Sequence, residues 1–277
     1  AEFAWAQLEP EEGKYDFAWL DKAVAGRNMW PALIGFIITG VGLPLLGVAA
    51  LGISRSSGLF ELSGHIGRPY GYFFTCALYL TIGPFFAIPR CATTSFTVGI
   101  EQIIPQGSDK LSLYLLLFSL AFFVAALLFS LYPGKIMVWV GKILNPAFLL
   151  FLGILVVVTL VNPGAAIAEV EPAGDYATVP FFEGFIEGYN TLDALASLAF
   201  GIVVVNVIRG LGVEDGDAVA SNTVRAGIFS CLLMAVIYFF VTLIGVHSRG
   251  VMASAENGGV ALAQIAKHYL GAPGLIV

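Results

Sequence analysis

Polar side chains interrupt one of the apolar stretches of this chain, between residues 181 and 208. Asn190, Thr191 and Ser197 supply neutral hydrogen-bond donors and acceptors. Gly188 and Gly201 allow the backbone to depart from helix geometry or to approach a neighbouring element closely. Groups of this kind suit the binding of a small polar ligand. The segment 187–197 is therefore the first candidate for a functional site.

A helix broken within this segment would offer partners for the charged ends of a ligand. If a second half-helix begins near Ala194, its free backbone amides attract an anion such as a carboxylate. Asp193 could cap that half-helix or meet an ammonium group. On the residues alone an alternative stays open, since Glu183, Glu187 and Asp193 would also mark the outer end of an ordinary span. The candidate ligand-binding residues are Asn190, Thr191, Asp193, Ala194, Ser197 and Phe200.

Arg90 is a second charged residue placed well inside an apolar stretch. A charge at such a depth costs about 2.5 kcal/mol or more unless it faces protein or water. We therefore expect Arg90 to have a gating role or to pair with a carboxylate such as Glu101 or Asp193. The alternative for Arg90 is a side chain that reaches the membrane interface beyond Pro89. The alternative for the nearby threonines is that their hydroxyls bond back to their own helix and do not line a pathway. The candidate pathway and gating residues are Pro84, Phe85, Arg90, Thr93 and Thr94.

Long uncharged stretches must position these residues. An α-helix needs about 20 apolar residues to cross a hydrocarbon core of roughly 30 Å, because backbone groups in lipid must pair within their own segment. A composition of 58% hydrophobic and 12% charged residues is also typical of membrane proteins and not of soluble domains. The predicted fold class is all-α, a multi-pass transmembrane bundle. Its spans, about six in number, are expected near residues 30–53, 70–100, 111–131, 136–161, 181–208 and 226–246.

The cations of the loops predict an orientation, because Lys and Arg are enriched on the cytoplasmic side. Alternate loops fall into two groups, of which the richer one is placed in the cytoplasm. That group comprises Arg55, Arg68, Lys135, Arg209 and Arg225.

The cysteines predict neither a disulfide framework nor a metal centre. Cys76, Cys91 and Cys231 lie in or beside apolar stretches without metal-ligand spacing. We expect them to be thiols of the protein core.

Five ordered blocks give the chain a recognisable pattern: WPALIGFIITGVGLP at 30–44, GPFFAIPR at 83–90, SLYPGK at 130–135, GFIEGYNTLDA at 184–194 and FGIVVVN at 200–206. Together they resemble the bacterial branched-chain amino acid carrier family. The resemblance implies a sodium-coupled importer of leucine, isoleucine and valine in the bacterial inner membrane, not an enzyme. It further implies a LeuT-like core of inverted repeats.

On that pattern the chain is similar to helices two to seven of the family, with the central cavity incomplete. The resemblance therefore implies a truncated fragment that would not transport by itself. Sodium ligands in this plan come largely from the first and eighth helices, so none is assigned here, and no other cofactor is expected. The expected partners are a small-molecule substrate and the lipid bilayer, without nucleic acid.

The acidic segment at residues 1–25 differs from the rest of the chain, and residues 2–21 resemble an early segment of TIM-barrel β-galactosidases. The sequence predicts two parts, a foreign-looking segment at 1–25 and a transporter domain at 26–277. Two alternatives follow. One is a glycoside hydrolase fusion fragment, although the Asn-Glu dipeptide that carries the acid in such enzymes does not occur. The other is a membrane scaffold that does not transport.

Overall fold

A computed structural model describes residues 25–56, 58–101, 104, 110–131, 140–172, 174–213, 215–248 and 258–271. In these ranges every regular element is a helix. Six helical runs are long and apolar enough to cross a membrane: Gly26–Ile53, Arg68–Thr97, Leu111–Ser130, Gly141–Val161, Asp193–Gly210 and Gly216–Ser248. The predicted all-α multi-pass bundle is confirmed. The segment 1–24 and the turn at 132–135 lie outside the described residues.

The chain divides into two compact units, and the described residues of each come from two separate parts of the sequence. The described residues of 21–86 and 167–246 form the first unit, and those of 87–166 and 247–277 form the second. In the first unit the helices are α1 (Met29–Ile37), α2 (Leu43–Ile53), α3 (Leu59–Gly64), α4 (Arg68–Leu80), α8 (Pro180–Asn190), α9 (Asp193–Gly210) and most of α10 (Gly216–Ser248). In the second they are α5 (Ala87–Gly99), α6 (Leu111–Ser130), α7 (Asn145–Val161) and α11 (Gly258–Leu270).

Proline shapes the ends and interruptions of these helices. It occupies the first turn of α2, α4, α7 and α8, where a missing amide proton costs nothing. Because Pro44 has no amide proton, the α-helical hydrogen bonds cannot run without interruption through the first span. There α1 and α2 are joined by a π-helical segment, Ile38–Gly42. In the second span another π segment, Thr81–Phe85, contains Pro84 and a non-helical Gly83 at φ −81°, ψ −112°. In the first span the π segment directly precedes the helix that contains Pro44.

Apolar side chains cover much of the surface, as expected where lipid replaces water. On α6, Leu116, Leu120 and Leu127 are each more than half exposed, and no residue of this helix is buried. Cys76 and Cys91 are exposed and Cys231 is half-buried, so the prediction that all three are core thiols is wrong. A small thiol is apolar enough to face lipid and does not require a protein core. Helix α3, which lies between the first two predicted spans, was not expected.

Within the second unit, two hydrogen bonds join the end of α7 to later parts of the chain. The backbone amide of Ala165 donates to the carbonyl of His247 at 3.1 Å. The Tyr269 hydroxyl on α11 donates to the carbonyl of Asn162 at 3.0 Å. Helix α11 is a short helix that follows the last candidate span.

Candidate functional site

The apolar region at 181–208 is two helices separated by a sharp break. Helix α8 ends at Asn190, and α9 begins at Asp193. Between them Leu192 adopts left-handed backbone angles, φ 60° and ψ 14°, which a leucine rarely adopts. The amides in the first turn of α9 therefore have no helical acceptor. The break lies among the polar residues that predicted it, and the second half-helix begins one residue before Ala194.

Glycines hold α8 directly against α1. A Cβ added at Gly184 would lie 1.9 Å from the carbonyl oxygen of Ala32, and one at Gly188 would lie 2.4 Å from that of Phe36. Because real Cβ atoms do not approach so closely, these positions require glycine. Close backbone contact through small residues is a common way for membrane helices to associate. The close approach expected of Gly188 is confirmed.

The π segment of the first span lies beside the break. It contacts both α8 and α9, while α2 packs along α9. Within it Thr39 is 1% exposed, and its hydroxyl donates to the carbonyl of Phe185 at 2.7 Å. A π segment and a helix break thus face each other, and π segments occur frequently at functional sites. Thr39 was missed from the sequence because its partner is 146 residues away.

The predicted neutral donors are engaged with their own helices. Thr191 Oγ1 donates to the carbonyl of Gly188 at 2.9 Å and lies 3.4 Å from the amide of Asp193. Ser197 Oγ donates to the carbonyl of Ala194 at 2.7 Å, and Asn190 Nδ2 lies 3.4 Å from Glu187 Oε1. Each hydroxyl oxygen keeps acceptor capacity after donating its proton. In this structure these groups order the break and present oxygen atoms there.

Asp193 is joined to a third helix. Its Oδ2 accepts a hydrogen bond of 3.0 Å from the Tyr238 hydroxyl on α10. The Tyr238 ring packs edge to face on Phe36 of α1, with ring centroids 4.8 Å apart. The N-cap residue Leu192 makes no side-chain cap and the Asp193 carboxylate bonds Tyr238, so the capping role considered for Asp193 is not observed. Asp193, Tyr238 and Phe36 bring three helices together at the start of α9, and sequence reasoning missed the latter two.

Two further acidic groups lie on α8. Glu187 is 7% exposed, next to Asn190. Glu183 lies outside the six candidate spans, and its pKa is raised by burial and, to a lesser extent, by the charge of Asp175. Phe200, by contrast, is 56% exposed on α9 and does not belong to a buried cluster.

The predicted pathway residues belong to different units. Pro84 and Phe85 lie in the π segment after α4 in the first unit, whereas Arg90, Thr93 and Thr94 lie on α5 in the second. Thr93 Oγ1 donates to its own helix, 3.2 Å from the carbonyl of Pro89 and 3.1 Å from that of Arg90. Among the described residues no three His, Cys, Asp or Glu side chains could hold a metal ion together.

Six candidate spans and a helix broken between α8 and α9 define a multi-pass membrane protein. The model of the branched-chain amino acid transport protein family matches residues 20–277, and the chain belongs to that family. A β-galactosidase family model matches residues 1–28. No solved structure matches the chain.

The curated relatives that the chain matches are named as branched-chain amino acid permeases or carriers. The branched-chain amino acid permease BrnQ of Lactobacillus delbrueckii subsp. lactis is 52% identical over 260 residues, which cover 94% of this chain and 58% of the permease. BrnQ of Bacillus subtilis is 39% identical, over 92% of this chain and 57% of that protein. The branched-chain amino acid transport system 3 carrier protein of Pseudomonas aeruginosa is 38% identical, over 90% and 56%. The chain thus spans a little over half the length of these relatives.

Proposed function

We propose that the chain carries the substrate-binding break of a carrier that moves leucine, isoleucine and valine across the bacterial plasma membrane in symport with a cation. The observation that carries this proposal is the break between α8 and α9, held against the π segment of the first span. Carriers bind substrate near the middle of the bilayer at discontinuous helices, whose free backbone groups meet the charged ends of the ligand. The names of the relatives support the substrate class.

The two charged ends of an amino acid find different partners at this break. The substrate carboxylate binds the amides that follow Asp193 in the first turn of α9, at the positive end of the helix dipole. The ammonium binds the carboxylate of Asp193, the acidic residue of that turn. The oxygen atoms of Asn190, Thr191 and Ser197 complete the polar surroundings.

The coupling ion is proposed to be Na⁺, within a LeuT-like arrangement of helices. Sodium is a hard cation that takes several oxygen ligands. In that arrangement the ligands come largely from helices that this chain does not supply. We therefore expect no uptake by the 277 residues alone. The function is tested in a completed carrier, in which the matched 260 residues of this chain replace the corresponding segment of the L. delbrueckii permease.

The first prediction concerns Thr191. In proteoliposomes with an inward sodium gradient, the completed carrier is expected to accumulate labelled leucine. Thr191→Val removes the hydroxyl oxygen from the break and is expected to raise the KM for leucine about tenfold, the effect of losing one hydrogen bond to a charged ligand.

Thr178→Val is the matched control, because Thr178 Oγ1 makes the same kind of bond to a carbonyl three residues earlier, that of Asp175, outside the break. Its KM should equal that of the unchanged carrier. A completed carrier that reaches the membrane and accumulates no branched-chain amino acid would contradict the proposed function. Equal KM values for the two variants would remove Thr191 from the site.

A further inference from the structure

Tyr238 makes a contact that the proposed function does not use. It lies on α10, 45 residues after Asp193, and its hydroxyl is 3.0 Å from Asp193 Oδ2. Its ring is fixed by the edge-to-face contact with Phe36, which is 1% exposed. A tyrosine held by its ring has little freedom to rotate, so its hydroxyl is a preorganised donor for this carboxylate.

The position of Asp193 creates a conflict within the proposed site. A carboxylate in the first turn of a helix is attracted to the free amides of that turn. Those amides are the groups to which the proposed function assigns the substrate carboxylate. If Asp193 turned towards them, it would compete with the ligand and repel it at short range. In this structure the amide of Asp193 donates to Thr191 Oγ1 at 3.4 Å, and the Asp193 carboxylate is bonded to Tyr238 instead of to the amides that follow.

We propose that Tyr238 is a positioning residue that holds the Asp193 carboxylate away from the amides of α9, so that the carboxylate and the ammonium of an amino acid have separate partners. The inference rests on the proposed function, since it concerns the same site. It assigns to α10 a part in recognising the ligand. The hydrogen bond from Tyr238 leaves the amides open to an anion while the negative charge of Asp193 stays beside them for a cation.

Tyr238→Phe tests this proposal, because it removes the hydroxyl and keeps the ring on Phe36. The control is Tyr79→Phe. The Tyr79 hydroxyl also donates to α9, at 3.3 Å from the carbonyl of Ala199, but does not contact Asp193. Thermal unfolding of the full 277-residue chain in detergent is measured first for both variants. Similar midpoints for the two show that any difference in binding is not a difference in folding.

Binding is then read from competition in the completed carrier, with labelled leucine as substrate and either unlabelled leucine or L-leucinol as competitor. Leucinol keeps the ammonium and has no carboxylate. Tyr238→Phe is expected to weaken inhibition by leucine about tenfold, because the released Asp193 carboxylate occupies the amides. Inhibition by leucinol should change by less than about threefold, and Tyr79→Phe should change neither.

Each other outcome has a definite meaning. Equal weakening of both competitors contradicts the proposal, because Tyr238 would then act on the ammonium or on the fold. Inhibition constants equal to those of Tyr79→Phe also contradict it. If the completed carrier without substitutions takes up no leucine, the proposed function fails. If it takes up leucine but Tyr238→Phe leaves the ratio of the leucine and leucinol inhibition constants unchanged, the inference about Tyr238 fails and the proposed function stands.

Discussion

At the scale of single residues, the break depends on a leucine in a conformation that leucine disfavours. The left-handed region costs an L-residue roughly 1–2 kcal/mol. Leu192 adopts it with φ 60°, next to Thr191, whose hydroxyl bonds the end of α8 and lies near the first amide of α9. Backbone strain of this kind persists only where the surrounding structure imposes it, and it is concentrated at functional sites.

Leu192→Ile should therefore be more harmful than its similar volume suggests. A β-branched side chain is especially unfavourable in the left-handed region. We expect a loss of unfolding free energy of about 2 kcal/mol, measured by thermal unfolding of the chain in detergent. Leu195→Ile, at a half-buried position within helical α9, should cost less than about 1 kcal/mol. Equal losses would show that the leucine is not strained.

A second prediction at this scale follows from the raised pKa of Glu183, which burial and then Asp175 cause. A carboxyl whose pKa is higher in the folded state than in the unfolded chain lowers stability as the pH rises past its ordinary value, because the folded state holds its proton longer. Glu183→Gln removes the charge that burial disfavours. The variant should unfold at a higher temperature than the unchanged chain at pH 8, and at the same temperature at pH 4.

The comparison for Glu183 is Glu169→Gln, at an exposed position outside the spans. A gain at pH 8 that is equally large for Glu169→Gln would be a general effect of net charge, and not of burial.

At the scale of helices, long apolar stretches predicted the spans, because lipid requires every backbone group to be paired within its own helix. The polar residues from Glu187 to Asp193 interrupt one of these apolar stretches, and they predicted the break. The contacts that shape the break could not be predicted. They join Thr39 to Phe185 and Asp193 to Tyr238, across 146 and 45 residues. No local pattern encodes which of several threonines or tyrosines faces a distant helix.

Glycine contact between α1 and α8 gives the prediction at this scale. Gly184→Ala places a methyl group 1.9 Å from the Ala32 carbonyl oxygen, so the helices must separate. We expect a loss of about 3 kcal/mol in unfolding free energy, together with a loss of leucine uptake by the completed carrier.

Gly153→Ala on α7 is the control for Gly184→Ala. Nothing lies within 4 Å of the added methyl group, and alanine is the better helix former, so stability should be unchanged or higher by up to about 1 kcal/mol. A tolerated Gly184→Ala would show that α1 and α8 are not in direct backbone contact.

At the scale of the whole molecule, the described residues of each compact unit come from two separated parts of the sequence, and the broken helix belongs entirely to one unit. The unit formed by residues 21–86 and 167–246 contains the π segment of the first span, the α8–α9 break and Tyr238. Every group that the proposed function assigns to the ligand therefore lies within one compact body of a membrane-spanning chain.

The central claim, that leucine binds at the α8–α9 break, is tested most directly by substrate protection of a thiol placed there. In the completed carrier, Cys76, Cys91 and Cys231 are replaced by serine, and Thr191→Cys introduces one thiol in the break. Leu211→Cys, just after α9 at a position that is 79% exposed, is the control. In proteoliposomes opened to a maleimide from both sides, we expect leucine to slow labelling at position 191 at least about fivefold at a concentration of several KM, and to leave labelling at 211 unchanged. Labelling at 191 that proceeds at the same rate with and without leucine, in a carrier that still transports, would contradict the account.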